Sequence, residues 1–273
     1  MFFKRTDNLT PNITSYDLIK CATVIFMLID HVGFFFLPEY PWLRVVGRLG
    51  FPAWFFLAGY SKSKEISQTL WLGAALLVSG NMVLGQYVFP ANALVSYICI
   101  RLFMSHAYQK LFSNWEILLY ATLSLAFLSL PTNFIFEYGT LAFLFAMFGY
   151  AVRNKDELGI SNPVRIMFCG FVVVSVSAIQ SALFGFNNIQ SIVCLVEISA
   201  VSVLLFYFRQ AEFPKLTAVL PNVVNAVIQF GGRYTLEIYV FHLLAIKAYL
   251  LYADYGFYKW FTPSLFPHLP SPN

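Results

Sequence analysis

A chain of 273 residues, 59% hydrophobic and only 11% charged, with a mean hydropathy of +0.69, is not an ordinary soluble domain, in which about a quarter of residues are charged. The apolar runs are continuous. A transmembrane barrel alternates instead, so the pattern indicates an all-α, polytopic transmembrane protein. The net charge of +4 resides in short basic loops and speaks for membrane orientation, with no nucleic-acid partner.

In chain order, about ten spans of roughly 15 to 23 residues are expected: 16–37, 42–61, 68–87, 91–104, 114–130, 134–152, 164–184, 189–208, 216–230 and 233–253. No soluble domain fits between them, so 1–273 reads as one integral-membrane domain with polar or irregular tails at 1–15 and 262–273. The N-terminal residues lack the order of a cleavable signal peptide, and the first helix is expected to act as an uncleaved signal. Lys4 and Arg5, Lys62 and Lys64, Lys110, Arg153 with Lys155 and Arg165, and Arg209 with Lys215 fall in alternate loops. The intervening loops PEYP, VFPAN, PTN and GFNN carry neither Lys nor Arg. The positive-inside rule then places both termini in the cytoplasm. Cys21, Cys99, Cys169 and Cys194 all lie in apolar runs without CxxC spacing, so neither a metal site nor a disulfide framework is indicated.

Ionisable groups inside hydrocarbon are costly and mark function. Asp30 and His31 sit deep in the first expected span and Arg48 in the second. With the first span running outward and the second and last inward, His31 lies about 9 Å short of its outer end, Arg48 about 9 Å below its outer start and His242 roughly 13 Å down. All three then share one layer. Asp30 and His31 point about 100° apart on a helix, so Asp30 pairs with a cation on another helix, Arg48 being the nearest candidate, or orients His31 through a local loop. Lys20 precedes His31 by eleven residues, three helical turns. Both lie on one face, about 16 Å apart, which suits a long anionic ligand with phosphates at Lys20 and a reactive end at His31, unless Lys20 simply snorkels to the inner interface.

In the last span, Thr235, Tyr239 and His242 share a face, and Arg233 and Glu237 are spaced to pair. Asn222, Asn225 and Gln229 make a polar stripe facing a cavity or a neighbouring helix. Arg101 is placed to meet a phosphate or to snorkel to the interface, Glu137 reads as interfacial, and Glu197 is an isolated intramembrane acid.

The segment LIKCATVIFMLIDHVG, followed by a short turn and LRVVGRLGFPAWFFLAGY, resembles the start of TraX proteins, described as pilin N-acetylases. It is also similar to the wider acyltransferase-three class of multi-span membrane enzymes. That class carries a basic residue, ten intervening residues and His, matched here by Lys20 and His31 with Lys in place of the usual Arg. FFLAGY stands for its aromatic–Ser–Gly–Tyr stretch with Ala58 replacing Ser, and RYTLEIYVFH for its late Tyr- and His-bearing helix. The resemblance implies acyl-CoA, here acetyl-CoA, as donor and an outer-side acceptor, a protein N-terminal amine or a glycan hydroxyl.

The expected activity is therefore an acyl-CoA-dependent O- or N-acyltransferase. His31 serves as general base or transient acyl carrier, because histidine titrates near working pH without perturbation. Asp30 stabilises an imidazolium, Arg48 a developing oxyanion, and His242 and Tyr239 complete proton transfer or position the thioester. Lys20, Arg101 and Glu237 join the donor- and substrate-binding set. A proton-coupled transporter is the alternative, since carriers also use intramembrane Asp, Glu and His; a non-catalytic membrane partner would leave Asp30–His31 unexplained.

Overall fold

The computed structural model describes residues 9–63, 65–253 and 262–266. Lys4, Arg5, Lys64 and most of both expected tails lie outside them. The described residues are helical, with two isolated bridges, Thr14 to Glu212 and Ala91 to Phe136.

Helix α1 (Ser15–Phe35) starts at a capping box in which Thr14 accepts from the Asp17 amide at 3.1 Å and Asp17 accepts from the Thr14 amide at 3.0 Å. The second expected span forms α2 (Pro41–Gly47) and α3 (Gly50–Tyr60), broken by a turn at Arg48 and Leu49. Helix α4 (Gln68–Val83) follows, capped by Ser67. The fourth expected span is α5 (Ala93–Cys99) and a π-helical turn at Ile100–Met104, and the helix continues beyond it as α6 (Ser105–Leu111). Then come α7 (Trp115–Thr132), α8 (Leu141–Arg153), α9 (Asn162–Leu183) and α10 (Asn188–Phe206). The chain ends with two short helices, α11 (Pro214–Val219) and α12 (Asn222–Arg233), and the long α13 (Thr235–Tyr252).

The core is the pair α3 and α8, apolar on all sides as a fully enclosed helix must be. Phe55, Phe56, Phe145 and Phe148 are each 1% exposed or less. Two glycines allow the contact. A Cβ on Gly59 would lie 1.7 Å from the Ala146 carbonyl oxygen, and one on Gly149 would lie 2.0 Å from that of Phe56. Small residues at such crossings let membrane helices pack backbone to backbone.

Five helices are long and apolar enough to cross a membrane by length and composition: α1, α7, α9, α10 and α13. The protein is thus an integral membrane protein, and five such helices among the described residues do not support the expectation of about ten spans. Helices α3 and α8, with 11 and 13 residues, fall short of the roughly 20 residues that span hydrocarbon unaided. They lie inside the bundle, where protein replaces lipid.

The ninth expected span is overturned. Residues 216–230 break at Pro221 into α11 and α12, which lie across the base of α1. Gly231 packs on Cys21, Gly232 on Asp17, and Thr217 accepts from the Ile13 amide at 2.9 Å. The polar stripe binds backbone: Asn225 donates to the Thr217 carbonyl at 2.8 Å and Gln229 to that of Pro11 at 2.7 Å. Val219, Val223, Val227 and Phe230 remain exposed on the other side.

Without that crossing, α13 runs parallel to α1, where the sequence reading had it run back. Asp17 meets Arg233, His31 meets His242 and Phe36 meets Tyr249, so contacts rise in the same order along both helices. At the far end the Val88 and Phe89 amides donate to the Ser264 and Leu265 carbonyls at 3.0 and 2.9 Å. Residues 9–14 and 262–266 therefore lie at opposite ends of the bundle, which does not support the expectation of both termini on one side; the termini themselves lie outside the described residues.

Candidate functional site

Helix α1 delivers Asp30 and His31 to the bundle centre, and each joins a different network. Gly47 brings the end of α2 against Asp30: a Cβ there would sit 2.4 Å from the Asp30 Cβ. At that approach Arg44 Nη1 donates to Asp30 Oδ2 at 2.8 Å, Arg48 Nε to Oδ1 at 3.1 Å, and Arg48 Nη2 to Oδ2. Phe184, from the α9–α10 turn, lies 4.7 and 4.5 Å from the two guanidinium carbons. Two cations against one carboxylate leave a local positive charge.

The Asp30–Arg48 pairing is the one the helix geometry suggested, but Arg44 was missed. Its place just after PEYPW reads as an interface, although Arg44 and Arg48 stand at i, i+4 and so reach the same side of the turn. Arg48 is committed to Asp30 and 5% exposed, so its guanidinium is not free to meet an oxyanion as expected. Asp30 is likewise occupied by the two arginines, and no hydrogen bond joins it to the His31 ring.

His31 pairs with histidine. Its Nδ1 lies 2.6 Å from His242 Nε2, with the rings stacked at 4.9 Å. His242 Nδ1 lies 2.6 Å from the Ile238 carbonyl oxygen. A carbonyl only accepts, so His242 carries its proton on Nδ1 and its Nε2 is an acceptor. His31 must then donate through Nδ1–H, which makes His31 Nε2 the basic nitrogen; this tautomer is assigned from the network. Tyr239 closes the group, its ring 6.2 Å from that of His31 and 5.9 Å from that of His242.

Three cavities run past this group. A cavity of about 300 Å³ at the Asp17 end is lined by Lys20, Trp54, Arg101, Arg233, Thr235 and Glu237 among others. A waist of about 30 Å³, room for a water or two, is lined by Asp30, His31, Arg48, Trp54 and Tyr239. A cavity of about 250 Å³ at the far end takes in Asp30, His31, Arg44, Glu137, Tyr239 and Lys247. The waist shares Trp54 with the first cavity and His31 and Tyr239 with the far one, so the three form one line through the bundle. Thr235, Tyr239, Leu243 and Lys247, at steps of four along α13, follow that line from end to end.

The sequence-predicted residues thus separate into two groups. Lys20, Arg101 and Glu237 meet in the first cavity; Asp30, His31, Arg48 and Tyr239 meet at the waist, with His242 behind His31. Arg233, in the same cavity lining as Glu237, pairs with Asp17 at 3.4 Å and donates to the Thr10 carbonyl at 2.9 Å. Glu137 is not interfacial: its Oε2 accepts from the Ala93 amide at 2.8 Å, capping α5, at the edge of the far cavity. Glu197 sits away on α10 with a buried Oε2 that has no hydrogen-bond partner among the described residues. Lys247, Asn81, Gln86 and Trp54 were also missed; the step-of-four spacing from Thr235 to Lys247 is the signal that marks the lysine.

No solved structure matches this chain. A protein of uncharacterized function from Rickettsia prowazekii (strain Madrid E) is 23% identical over 267 residues, which cover 92% of this chain and 99% of that protein. The family model described as TraX protein matches residues 15–246, from the start of α1 to beyond the histidine pair. That match takes in most of the chain, both histidines and the arginine turn, and the protein belongs to the TraX family.

Proposed function

We propose that the protein is a membrane acyltransferase that moves an acyl group, acetyl first among them, from acyl-CoA to an amine or hydroxyl on the other side of the membrane. The observation that carries this reading is the His31–His242 pair, set in the waist between two cavities of different chemistry. Lys20, Arg101 and Arg233 in the first cavity suit the phosphates of a CoA donor. The basic loop residues Lys62, Arg153, Arg209 and Lys215 favour a cytoplasmic face for this end, in the inner membrane of a bacterium. The far cavity then opens outward to the acceptor.

In the proposed step the acceptor N–H or O–H gives its proton to His31 Nε2 as its heteroatom attacks the thioester carbonyl. His242 keeps the imidazolium oriented through the Nδ1 hydrogen bond, the part that an acid plays in other base dyads. The C–S bond breaks, the thiolate takes the proton from His31, and free CoA and the acylated acceptor leave. The buried indole N–H of Trp54, without a partner among the described residues, is the donor available to the oxyanion, since Arg48 is held by Asp30. A thioester arm passes the waist only when Trp54 or Tyr239 moves aside.

The test is transfer from radiolabelled acetyl-CoA in membranes carrying wild-type protein or His31→Ala, with a pilin amine and a lipid-linked glycan as acceptors. Loss of transfer in a folded variant is expected; unchanged transfer rules out the histidine as base. A proton-coupled carrier is the second reading, favoured by a line of cavities that runs from end to end. Thermal stabilisation by acetyl-CoA, but not by candidate ions, separates the two.

A further inference from the structure

The far cavity holds a cation for which the proposed transfer has no use. Lys247 is 8% exposed, and its Nζ donates to Asn81 Oδ1 at 2.5 Å and to Gln86 Oε1 at 2.8 Å. Amide oxygens orient an ammonium but bring no charge to it. Among the described residues no carboxylate lies within 4.0 Å of Lys247. An ammonium has three donors and two are in use, so among the described residues one N–H has no acceptor and no carboxylate touches the charge. A buried cation of this kind is costly unless something anionic joins it.

Among the described residues the cavity wall brings no carboxylate into contact with Lys247. Asp30 is shared by Arg44 and Arg48, and Glu137, which accepts from the neutral Ala93 amide and keeps its charge, lies beyond ion-pair distance of Lys247. Around about 250 Å³ of space the lining sets Arg44 and Lys247 against Asp30 and Glu137, and the one positive charge in excess comes from Arg48 behind the wall, which holds Asp30 from the other side. Arg44 is 15% exposed at its side chain and lines the same cavity as Lys247.

We infer that the far cavity is a binding site for a carboxylate or phosphate group, with Lys247 as its ionic anchor, Asn81 and Gln86 as the braces that aim the ammonium, and Arg44 as the second cation. On the transfer reading this names the substrate class: an acceptor that carries an anionic group close to the amine or hydroxyl being acylated. Only the assignment of the anion to the acceptor rests on that reading; the binding site does not.

The experiment follows thermal unfolding of the full chain in phosphatidylcholine nanodiscs as sodium phosphate replaces sodium chloride at constant ionic strength. A parallel arm uses nanodiscs containing phosphatidylglycerol. The expected result is an upward shift with phosphate, with phosphatidylglycerol or with both. Free phosphate acting alone identifies a soluble anion, and phosphatidylglycerol acting alone a lipid headgroup. Lys247→Met should weaken the apparent anion affinity by about tenfold or more, the worth of one hydrogen bond to a charged group, while Lys247→Arg keeps it. Absence of any anion-specific shift in the wild-type protein overturns the proposal, as does an equal shift in Lys247→Met; if Lys247→Met does not fold, the wild-type comparison of phosphate with chloride decides alone. Acetyl transfer that survives without anion-specific stabilisation sinks the anion site only. Stabilisation without transfer sinks the transfer reading only.

Discussion

Asp30 and His31 are neighbours in sequence that end in different networks, and their substitutions should fail in different ways. Asp30 is the single carboxylate for two guanidiniums, so Asp30→Asn leaves buried cations unpaired. We expect a stability loss of about 3–5 kcal/mol, read as a lower denaturation midpoint or a failure to accumulate in membranes. His31→Ala removes no charge from that cluster and should yield a folded protein without transfer. His242→Gln tests the tautomer assignment. Glutamine keeps a polar group near His31 but does not fix which His31 nitrogen carries the proton. Turnover should fall by about 10² or more at unchanged KM for acetyl-CoA. A change confined to KM would place His242 in donor binding instead. The first lesson of the sequence also belongs at this scale: ionisable residues in apolar runs are visible one by one, and Asp30, His31, Arg48 and His242 stood out for that reason. Arg44 did not, because it lies near the start of an expected span, where a cation costs little, and Lys247 did not although it lies as deep as Arg48, its one mark being the step of four from Leu243.

At the scale of the element, the contact that fixes the site is made far from it. Helices α3 and α8 touch backbone to backbone at Gly59 and Gly149, and α3 carries Trp54 to the waist. Gly149→Ala places a methyl group where the Phe56 carbonyl already stands, so the helices must separate. Overpacking of this kind costs about 1–3 kcal/mol. The variant should denature earlier, with reduced transfer even though no site residue has changed; wild-type stability would show that the two helices have room to shift. Helix α12 shows the other limit of element-level reading. Its apolar residues Val223, Val227 and Phe230 recur at i, i+4 and i+7, a true helical period. Periodicity alone does not distinguish a short helix laid across a bundle from a crossing. Pro221 and the adjoining Gly231 and Gly232 were the available signals, and the glycines fit only because α1 approaches there.

The whole molecule turns on that one non-crossing. With α12 lying at the base of α1, the chain emerges after α13 at the end opposite to its start. Single cysteines at Asn12 and Ser264, in a background with the four native cysteines replaced, should react with a membrane-impermeant maleimide from opposite sides of sealed vesicles. Labelling of both from the same side would restore the original topology and require α12 to cross. The same parallel arrangement brings His242 to the level of His31 and Lys247 to the far cavity. An antiparallel α13 would carry its lysine to the Lys20 end.

What the sequence determined by itself is local: an all-helical membrane chain, its family, the acid and histidines that stand inside apolar segments, and the shared face of Thr235 and Tyr239 on the last helix. These follow from hydrophobicity, helical period and the cost of charge in hydrocarbon, each of which acts over a few residues. The tertiary structure alone decided that Asp30 takes two arginines and His31 takes a histidine, that α13 rises alongside α1, and that a lysine close to the C-terminus meets Asn81 and Gln86. Those outcomes depend on which helices touch, and helix contact in a membrane is set by close packing between surfaces distant in sequence, to which an apolar pattern common to nearly every segment gives no address.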